Sequence, residues 1–329
     1  MSRVRKPRAG SMQFWPRARA KHSYARIRKW VQGKEAKPLG FAGYKVGMTH
    51  LLINDNRQHS LTKGAEIFCP VTIVECPPIK TASIRFYKNT PHGLKLLSEF
   101  FTENFSKELE RKITTPKKKN KDAAAGAQAE GFDSIRMLCY TQPSLTSIGK
   151  QKPEIFEIAI GGDKEQQLGY AKEKLGKEIK INDVFREGQQ LDAHSLTKGK
   201  GFQGPVKRFG VQLRHHKSEK SRRNPGTLGA WRAQGHIMWR VAHAGKMGYH
   251  LRTEYNKWLI KIGNKPEEIN TKGGFLHYGD VKNPYIIVKG SIAGSQKRLI
   301  RFTEATRPGK NIPEAPQITY TSTESKQGN

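Results

Sequence analysis

Residues 41–53 read FAGYKVGMTHLLI, an apolar run punctuated by Gly43 and Gly47 that ends in the turn-forming Asn54-Asp55-Asn56. Short apolar runs rich in β-branched and aromatic residues and bounded by turn residues read as strands. The pattern recurs in VTIVEC (71–76), a Pro77-Pro78 break and SIRFYK (83–88). It returns in the pair SIRMLCY (134–140) and EIFEIAI (154–160), and in YIIVKG (285–290) and RLIRF (298–302), joined through the Gly294-Ser295 turn. The fold class is mainly β.

Helix enters as an insertion. Leu94, Leu97, Phe101, Phe105, Leu109 and Ile113 recur at steps of three or four, which predicts one amphipathic helix over 93–113. A second helix is expected over 163–175, where Asp163 can cap the start and Gly176 the end. The run TPKKKNKDAAAGAQAEG (115–131) has no periodicity and reads as a flexible loop, and the Pro-, Thr- and Ser-rich chain from Pro308 onward as a loose tail. No repeat of 20 to 50 residues is present.

The 329 residues allow about two domains. Lys and Arg number 60 against 28 Asp and Glu, a net charge of +32. Such a chain repels itself unless a polyanion compensates it, and an acidic small-molecule substrate would not need that much charge. Three cysteines, Cys69, Cys76 and Cys139, form no even disulfide framework and no C-x-x-C, and read as small buried hydrophobes in a reducing compartment. The basic first residues lead into no apolar h-region, and no window approaches 18 uninterrupted apolar residues, so neither export nor membrane spanning is expected.

The charge is zoned. Residues 1–37 carry 12 Lys or Arg and one acid, and residues 195–257 carry 14 and two acids, together +23 of the +32. Residues 94–187 carry 17 basic and 15 acidic side chains, as a solvated surface would. The polyanion should therefore touch the first two stretches and largely avoid the third. Alone, the N-terminal stretch should order only when its charge is neutralised.

Gly199-Lys200-Gly201-Phe202-Gln203-Gly204 spells G-x-G-x-x-G, the dinucleotide fingerprint. Its context is wrong: VKRFG runs straight into Gly210 without a helical apolar face, and position 224 is Asn rather than an acid. A glycine-permitted close approach of backbone to a phosphate chain, flanked by Lys198, Lys200, Lys207 and Arg208, suits it better; the bland alternative is a turn whose lysines face water.

Downstream, 213–258 interleaves cations with planar rings, the first for phosphates and the second for stacking on unpaired bases. Trp239 and Trp258 sit in apolar neighbourhoods and read equally as core residues, whereas Trp231, between Gly229-Ala230 and Arg232, reads as exposed or RNA-facing. His236, His243 and His250 fall seven apart but lack a nearby carboxylate or Cys ligand, so no metal is assigned. No nucleophile pairs with a recognisable base, so no enzyme and no cofactor are expected. Two alternatives remain: a free nucleic-acid-binding protein of the chromatin or RNA-chaperone type, motivated by charge alone, and a nucleotide-dependent oxidoreductase built on Gly199–Gly204.

The order TKGKGFQGPVKRFG (197–210), GTLGAW (226–231), GKMGYHLRTEYN (245–256) and GGFLHYGDVKNPYIIVKGSIAGSQKRLIRF (273–302), after the opening PRAGSMQFWPRARA (7–20), resembles the universal large-subunit ribosomal protein L three family in its archaeal and eukaryotic form. The resemblance runs over nearly the whole chain. It implies a closed or split β-barrel of the translation-protein type, interrupted by a helical insertion, with a basic N-terminal extension and a long internal finger loop. The expected divisions are 1–40 for the extension, 41–92 and 184–307 for the barrel body, 93–183 for the near-neutral insertion, 197–258 for the finger and 308–329 for the tail.

The implied partners are large-subunit ribosomal RNA and neighbouring ribosomal proteins, with tRNA and elongation factors close by, in the cytoplasmic ribosome. The finger would approach the peptidyl-transferase centre and the path of incoming aminoacyl-tRNA, with Trp231 matching the family's finger-tip tryptophan and Gln203 lying in its GFQG-like turn. Charge, rings and resemblance together assign RNA contact to Arg3, Arg5, Lys6, Arg8, Arg17, Arg19, Lys198, Lys200, Phe202, Gln203, Lys207, Arg208, Arg214, Arg222, Arg223, Trp231, Arg232, Arg240, Lys246, Tyr249, His250 and Arg252. The modifiable histidine that eukaryotic relatives carry ahead of the tip is not matched, since Glu219 and Lys220 stand at about that separation.

Overall fold

The computed structural model describes residues 9–103, 105–114, 131–229, 235–309, 314–325 and 327. The chain divides into two compact units, one of Ser23–Ser195 with Thr253–Asn329 and the other of Met1–His22 with Leu196–Arg252.

The larger unit is built on strands. In chain order they are β1 (Gly40–Asn54), β2 (Glu66–Glu75), β3 (Ile79–Thr90), β4 (Gly93–Phe101), then a one-turn α1 (Lys107–Glu110), β5 (Ser134–Tyr140), β6 (Ile155–Ala159), α2 (Lys164–Lys174), β7 (Glu178–Ile179) and β8 (Gln190–Leu196). After the excursion through the smaller unit come β11 (Leu251–Gly263), β12 (Tyr285–Lys289), β13 (Leu299–Glu304) and β14 (Ile318–Thr321); the excursion itself holds β9 (Phe202–Gln203), α3 (Pro205–Phe209) and β10 (Gly245–Lys246). The protein is mainly β, with few helices.

One sheet runs β13-β8-β11-β12-β2-β1, and β1 pairs back onto β13 over Gly40–Tyr44, so the pairing closes on itself. Closure leaves these strands without a free edge. The first half of β1 is buried on both faces, which explains its glycines: a Cβ on Gly43 would lie 2.7 Å from the Cys76 sulfur and the Glu75 carbonyl, and one on Gly40 2.7 Å from the Phe302 carbonyl. Beyond a bulge at Lys45/Gly47, β1 alternates, and Leu51, Ile53, Cys69, Val71 and Ile73 all point into one core. Each such side chain, fully removed from water, contributes roughly 1.5–3 kcal/mol. The consecutive β12 and β13 do not pair with each other; β12 joins β11 and β2, and β13 joins β8 and β1.

A second sheet, β4-β3-β5-β6 with β7 on β3, follows the Pro77-Pro78 break. Here the helix expected over 93–113 is overturned. Residues 93–101 are β4, folded onto β3 by a tight turn in which Thr90 faces Gly93, and only Lys107–Glu110 is helical. The three-to-four spacing of Leu94, Leu97 and Phe101 satisfies a helix, but pairing meets the hydrogen-bond demand of β3 and brings Glu99 3.0 Å from the Arg85 guanidinium and Phe100 onto Phe86 at 5.4 Å. The inserted region is thus a sheet carrying one substantial helix rather than a helical insertion. That helix, α2, is where expected: Gln166 accepts the Asp163 amide at 3.4 Å, and Gly176 takes φ +74° just past the end.

The C-terminal tail is likewise not loose throughout. β14 pairs with β1 at Leu51 and Leu52, and Ser322 is buried with its amide on the His50 carbonyl at 3.2 Å.

Two buried charged groups of this unit are well partnered. Glu75, fully buried, accepts from the Lys282 and Asn283 amides at 2.9 Å each, from Asn283 Nδ2 at 2.8 Å and from the Tyr278 hydroxyl. Arg301, 3% exposed, donates to the Ala25 carbonyl at 3.0 Å and the Glu157 carbonyl at 2.5 Å, with the Phe156 ring 4.4 Å from its guanidinium carbon; burial pushes it down to about 9. All three cysteines are buried, and burial pushes the Cys139 thiol up to about 12. Trp258 is buried with Nε1 donating to the Gly188 carbonyl at 3.0 Å, which settles it as a core residue.

Candidate nucleic-acid interface

The smaller unit spans 79 residues with 20 Lys or Arg and a single acid, Glu219. Its +19 leaves +13 for the 250 residues of the larger one. So dense a charge raises the question of what holds it together.

Backbone carbonyls and rings do. Arg17 donates to the Arg208 carbonyl at 2.5 Å and lies over the Phe209 ring at 4.2 Å. Arg208 reaches the carbonyls of Lys246 at 3.1 Å and His243 at 2.9 Å, tying α3 to β10. Arg19 sits over Tyr249 at 5.5 Å and Arg252 over Phe14 at 4.6 Å. Arg214 donates to Pro225, and Arg222 to Arg214, closing the 214–225 loop. Cations bonded in this way are fixed in place but keep their charge. The like charges are felt: burial and then the nearby Arg17 hold both Arg208 and Arg252 below the ordinary guanidinium range.

The aromatic cluster behind these arginines is not legible as a cluster in the sequence, although Phe14 and Trp15 stand out there as core-forming residues of a basic stretch. Trp15 packs on Phe209 at 5.3 Å and edge-on to Trp239 at 5.9 Å. Trp239, one of the two ambiguous tryptophans, is exposed on its outer side. Gly10, at φ +78°, passes so close to Phe209 that a Cβ would come within 2.6 Å of the ring.

The glycine-rich stretch 199–204 is the rim of a two-stranded antiparallel ribbon, not a dinucleotide turn. Phe202 and Gln203 pair with Lys246 and Gly245, and the helix after Gly204 is a five-residue turn with Pro205 at its head. A dinucleotide site needs a strand followed by a full helix of a parallel unit, and neither borders these glycines. Gly248, at φ +79°, lies against the Lys198 carbonyl, where a Cβ would come within 2.0 Å. Phe202 is 74% exposed, between the exposed Lys200 and the cross-strand Lys246.

Lys198, Lys200, Phe202, Lys207, Arg214, Arg222, Arg223, Arg240, Lys246 and Arg19 are exposed, while Arg17, Gln203, Arg208, Tyr249 and Arg252 are half-buried with part of their surface open. His250 differs. It is buried, Nε2 accepts the Gly248 amide at 3.1 Å and Nδ1 donates to the Ala18 carbonyl at 2.8 Å, so both nitrogens are committed within the unit. It positions backbone within the unit, with neither ring nitrogen left open. Arg3, Arg5, Lys6, Arg8, Trp231 and Arg232 lie outside the described residues.

A mainly β protein that carries a nearly acid-free unit of fixed cations and open rings has the features of the polyanion-binding class. The family model of ribosomal protein L3 matches residues 1–328. Large ribosomal subunit protein uL3 of Archaeoglobus fulgidus is 47% identical over 98% of both chains, that of Methanobrevibacter smithii 46% over the full length of both, and that of Methanocaldococcus jannaschii 46% over 99% of this chain and 98% of its own. The chain belongs to the ribosomal protein L3 family, and as a member it is a structural, non-enzymatic ribosomal protein.

Proposed function

We propose that this chain is a structural constituent of the large ribosomal subunit that binds and organises its ribosomal RNA during assembly. The relatives' names support the subunit. The observation that carries the RNA reading is the bonding of the smaller unit's arginines: they are held by carbonyls and rings, so their charge remains available to phosphates. The exposed Lys198, Lys200, Lys207, Arg214, Arg222, Arg223 and Lys246 contact phosphate, and Phe202 with Tyr249 offers rings to unpaired bases.

In this reading residues 1–40 and 197–258 enter the RNA, with Trp231 and Arg232 at the tip toward the peptidyl-transferase centre and the path of aminoacyl-tRNA. Within residues 41–92 and 184–307, the strands β1, β2, β8, β11, β12 and β13 form a closed barrel, a reading that the β1–β13 pairing supports. The near-neutral 93–183 remains toward solvent, and 308–329 completes the body. Folding RNA against its own charge requires cations between its helices, and the residues that supply them are ordered at roughly 1–2 kcal/mol each in backbone entropy, offset by phosphate contacts.

The test is affinity of the full chain for a large-subunit RNA fragment as a function of salt. The log–log slope should be steep, about −0.7 to −0.9 per neutralised phosphate. A flat response, or equal affinity for any duplex DNA, defeats the reading. Sedimentation with large subunits after a moderate-salt wash separates it from a free chromatin-type or RNA-chaperone protein.

A further inference from the structure

The outer face of β14-β1-β2 in the larger unit has a composition unlike the rest of the protein. Its inward residues, Leu51, Ile53, Cys69 and Val71, are fully buried. Its outward residues are not: Tyr320, Leu52 and Phe68 stand in one row across the three strands, with His50 and Pro70 in the next and Met48 beyond. Phe68 is 63% exposed, Tyr320 44% and Met48 40%. His50 stacks on Phe68 with ring centroids 4.9 Å apart and leans toward Tyr320 at 6.4 Å, so the rings form one continuous surface.

The two segments that carry this surface have a charge opposite in sign to the chain, with one further cation, Lys289, on the neighbouring β12. Residues 46–70 and 314–325 together hold two cations, Arg57 and Lys63, against four acids, Asp55, Glu66, Glu314 and Glu324. Arg57 is spent on Asp55 at 2.8 Å. Glu66, Glu314 and Glu324 are exposed. A net −2 in a +32 protein disfavours phosphate, and a second copy of the chain would bring another +32 against the first. Contiguous exposed apolar surface rimmed by polar groups marks an interaction site.

We infer that this face docks a different protein of the assembled particle, through a segment that lays apolar side chains on Tyr320, Leu52, Phe68 and His50 and sets Lys or Arg against Glu66, Glu314 and Glu324. The inference rests on the ribosomal reading above. Hot-spot energetics place the binding on the rings, and the carboxylates select the partner by sign.

The experiment incorporates a photo-crosslinking phenylalanine at position 68, and separately at 320, in the full-length chain assembled into large subunits. Sedimentation first reports whether the chain enters the particle; failure there overturns the ribosomal reading and this one with it. In particles that contain it, both positions should give adducts to a Lys- or Arg-bearing segment of one and the same protein. Phe68→Asp should loosen that protein's retention in a salt wash about tenfold while the chain itself still sediments with the subunit. Glu66→Lys combined with Glu324→Lys should loosen it in the same direction. Adducts to nucleotides, adducts to a second copy of this chain, or no adduct at all each overturn the docking proposal and leave the ribosomal reading standing.

Discussion

The His250 ring donates from Nδ1 to the Ala18 carbonyl oxygen at 2.8 Å, across 232 positions of sequence. The Ala20 amide returns to the Tyr249 carbonyl at 2.9 Å, so residues 18–20 are laced to the turn that precedes β11. The N-terminal arm therefore has a built anchorage on the 196–252 excursion, and its cations are presented as part of that unit.

Removing the imidazole should free the arm. His250→Ala leaves the Ala18 carbonyl and the Gly248 amide without their partners, at about 1–3 kcal/mol for each group left unsatisfied. Limited trypsin digestion should then cut after Arg17 and Arg19 at least several-fold faster than in the parent chain, with the body's circular dichroism unchanged. Equal cleavage rates would show that the lacing carries no stability.

The exposed β9–β10 ribbon separates stacking from charge. Phe202→Leu should weaken binding to a large-subunit RNA fragment by about 1–3 kcal/mol with no change in salt slope. Lys246→Gln should weaken it less at high salt and reduce the slope by about 0.7–0.9. Titrations at three salt concentrations distinguish the two outcomes, and an unchanged affinity in both variants would remove the ribbon from the interface.

His194 makes the larger unit acid-sensitive. Its nitrogens lie 3.0 Å from the Thr253 hydroxyl and 3.2 Å from the Thr303 hydroxyl, and burial followed by the Arg301 charge pushes it from 6.5 down to about 4. The folded state thus favours the neutral ring. The stability this confers is fully present above pH 6.5 and drains away as pH falls toward 4. Melting temperature should fall through that window, and the difference between the parent and His194→Gln should shrink with it; a constant difference would contradict the assignment.

Glu75 gathers four donors in the core of the larger unit. Glu75→Ala strands the Lys282 and Asn283 amides and should lower stability by about 3 kcal/mol or more, read as a shift in denaturant midpoint. Glu75→Gln retains one acceptor oxygen and should fall between. A loss below that of an ordinary surface substitution would mean that water replaces the carboxylate.

Strand after strand was legible from composition because the pattern is local: VTIVEC, SIRMLCY and RLIRF each declare themselves by β-branched and aromatic runs between turn residues. So were α2, through Asp163 and Gly176, and the zoning of charge that marks residues 195–257. Residues 93–101 were misread because a largely exposed edge strand imposes no apolar alternation, so its apolar residues can fall at helical spacing, and the decision fell to β3, whose open edge the local sequence does not contain. β14 was missed for a related reason: ITYT is too short to signal itself and becomes a strand only against β1.

The sequence by itself determined the mainly β character, the excess of cations and where along the chain they fall, because each is a property of neighbouring residues. Only the tertiary structure decided that β1 closes onto β13, that the arginines of the smaller unit find carbonyls and rings, that Trp258 goes inside while Phe68 and Tyr320 stay out, and that His250 is anchorage. Those outcomes depend on which distant groups meet. A hydrogen bond or a stacked ring is fixed by its partner's position to within a fraction of an ångström, and sequence spacing carries no such distance.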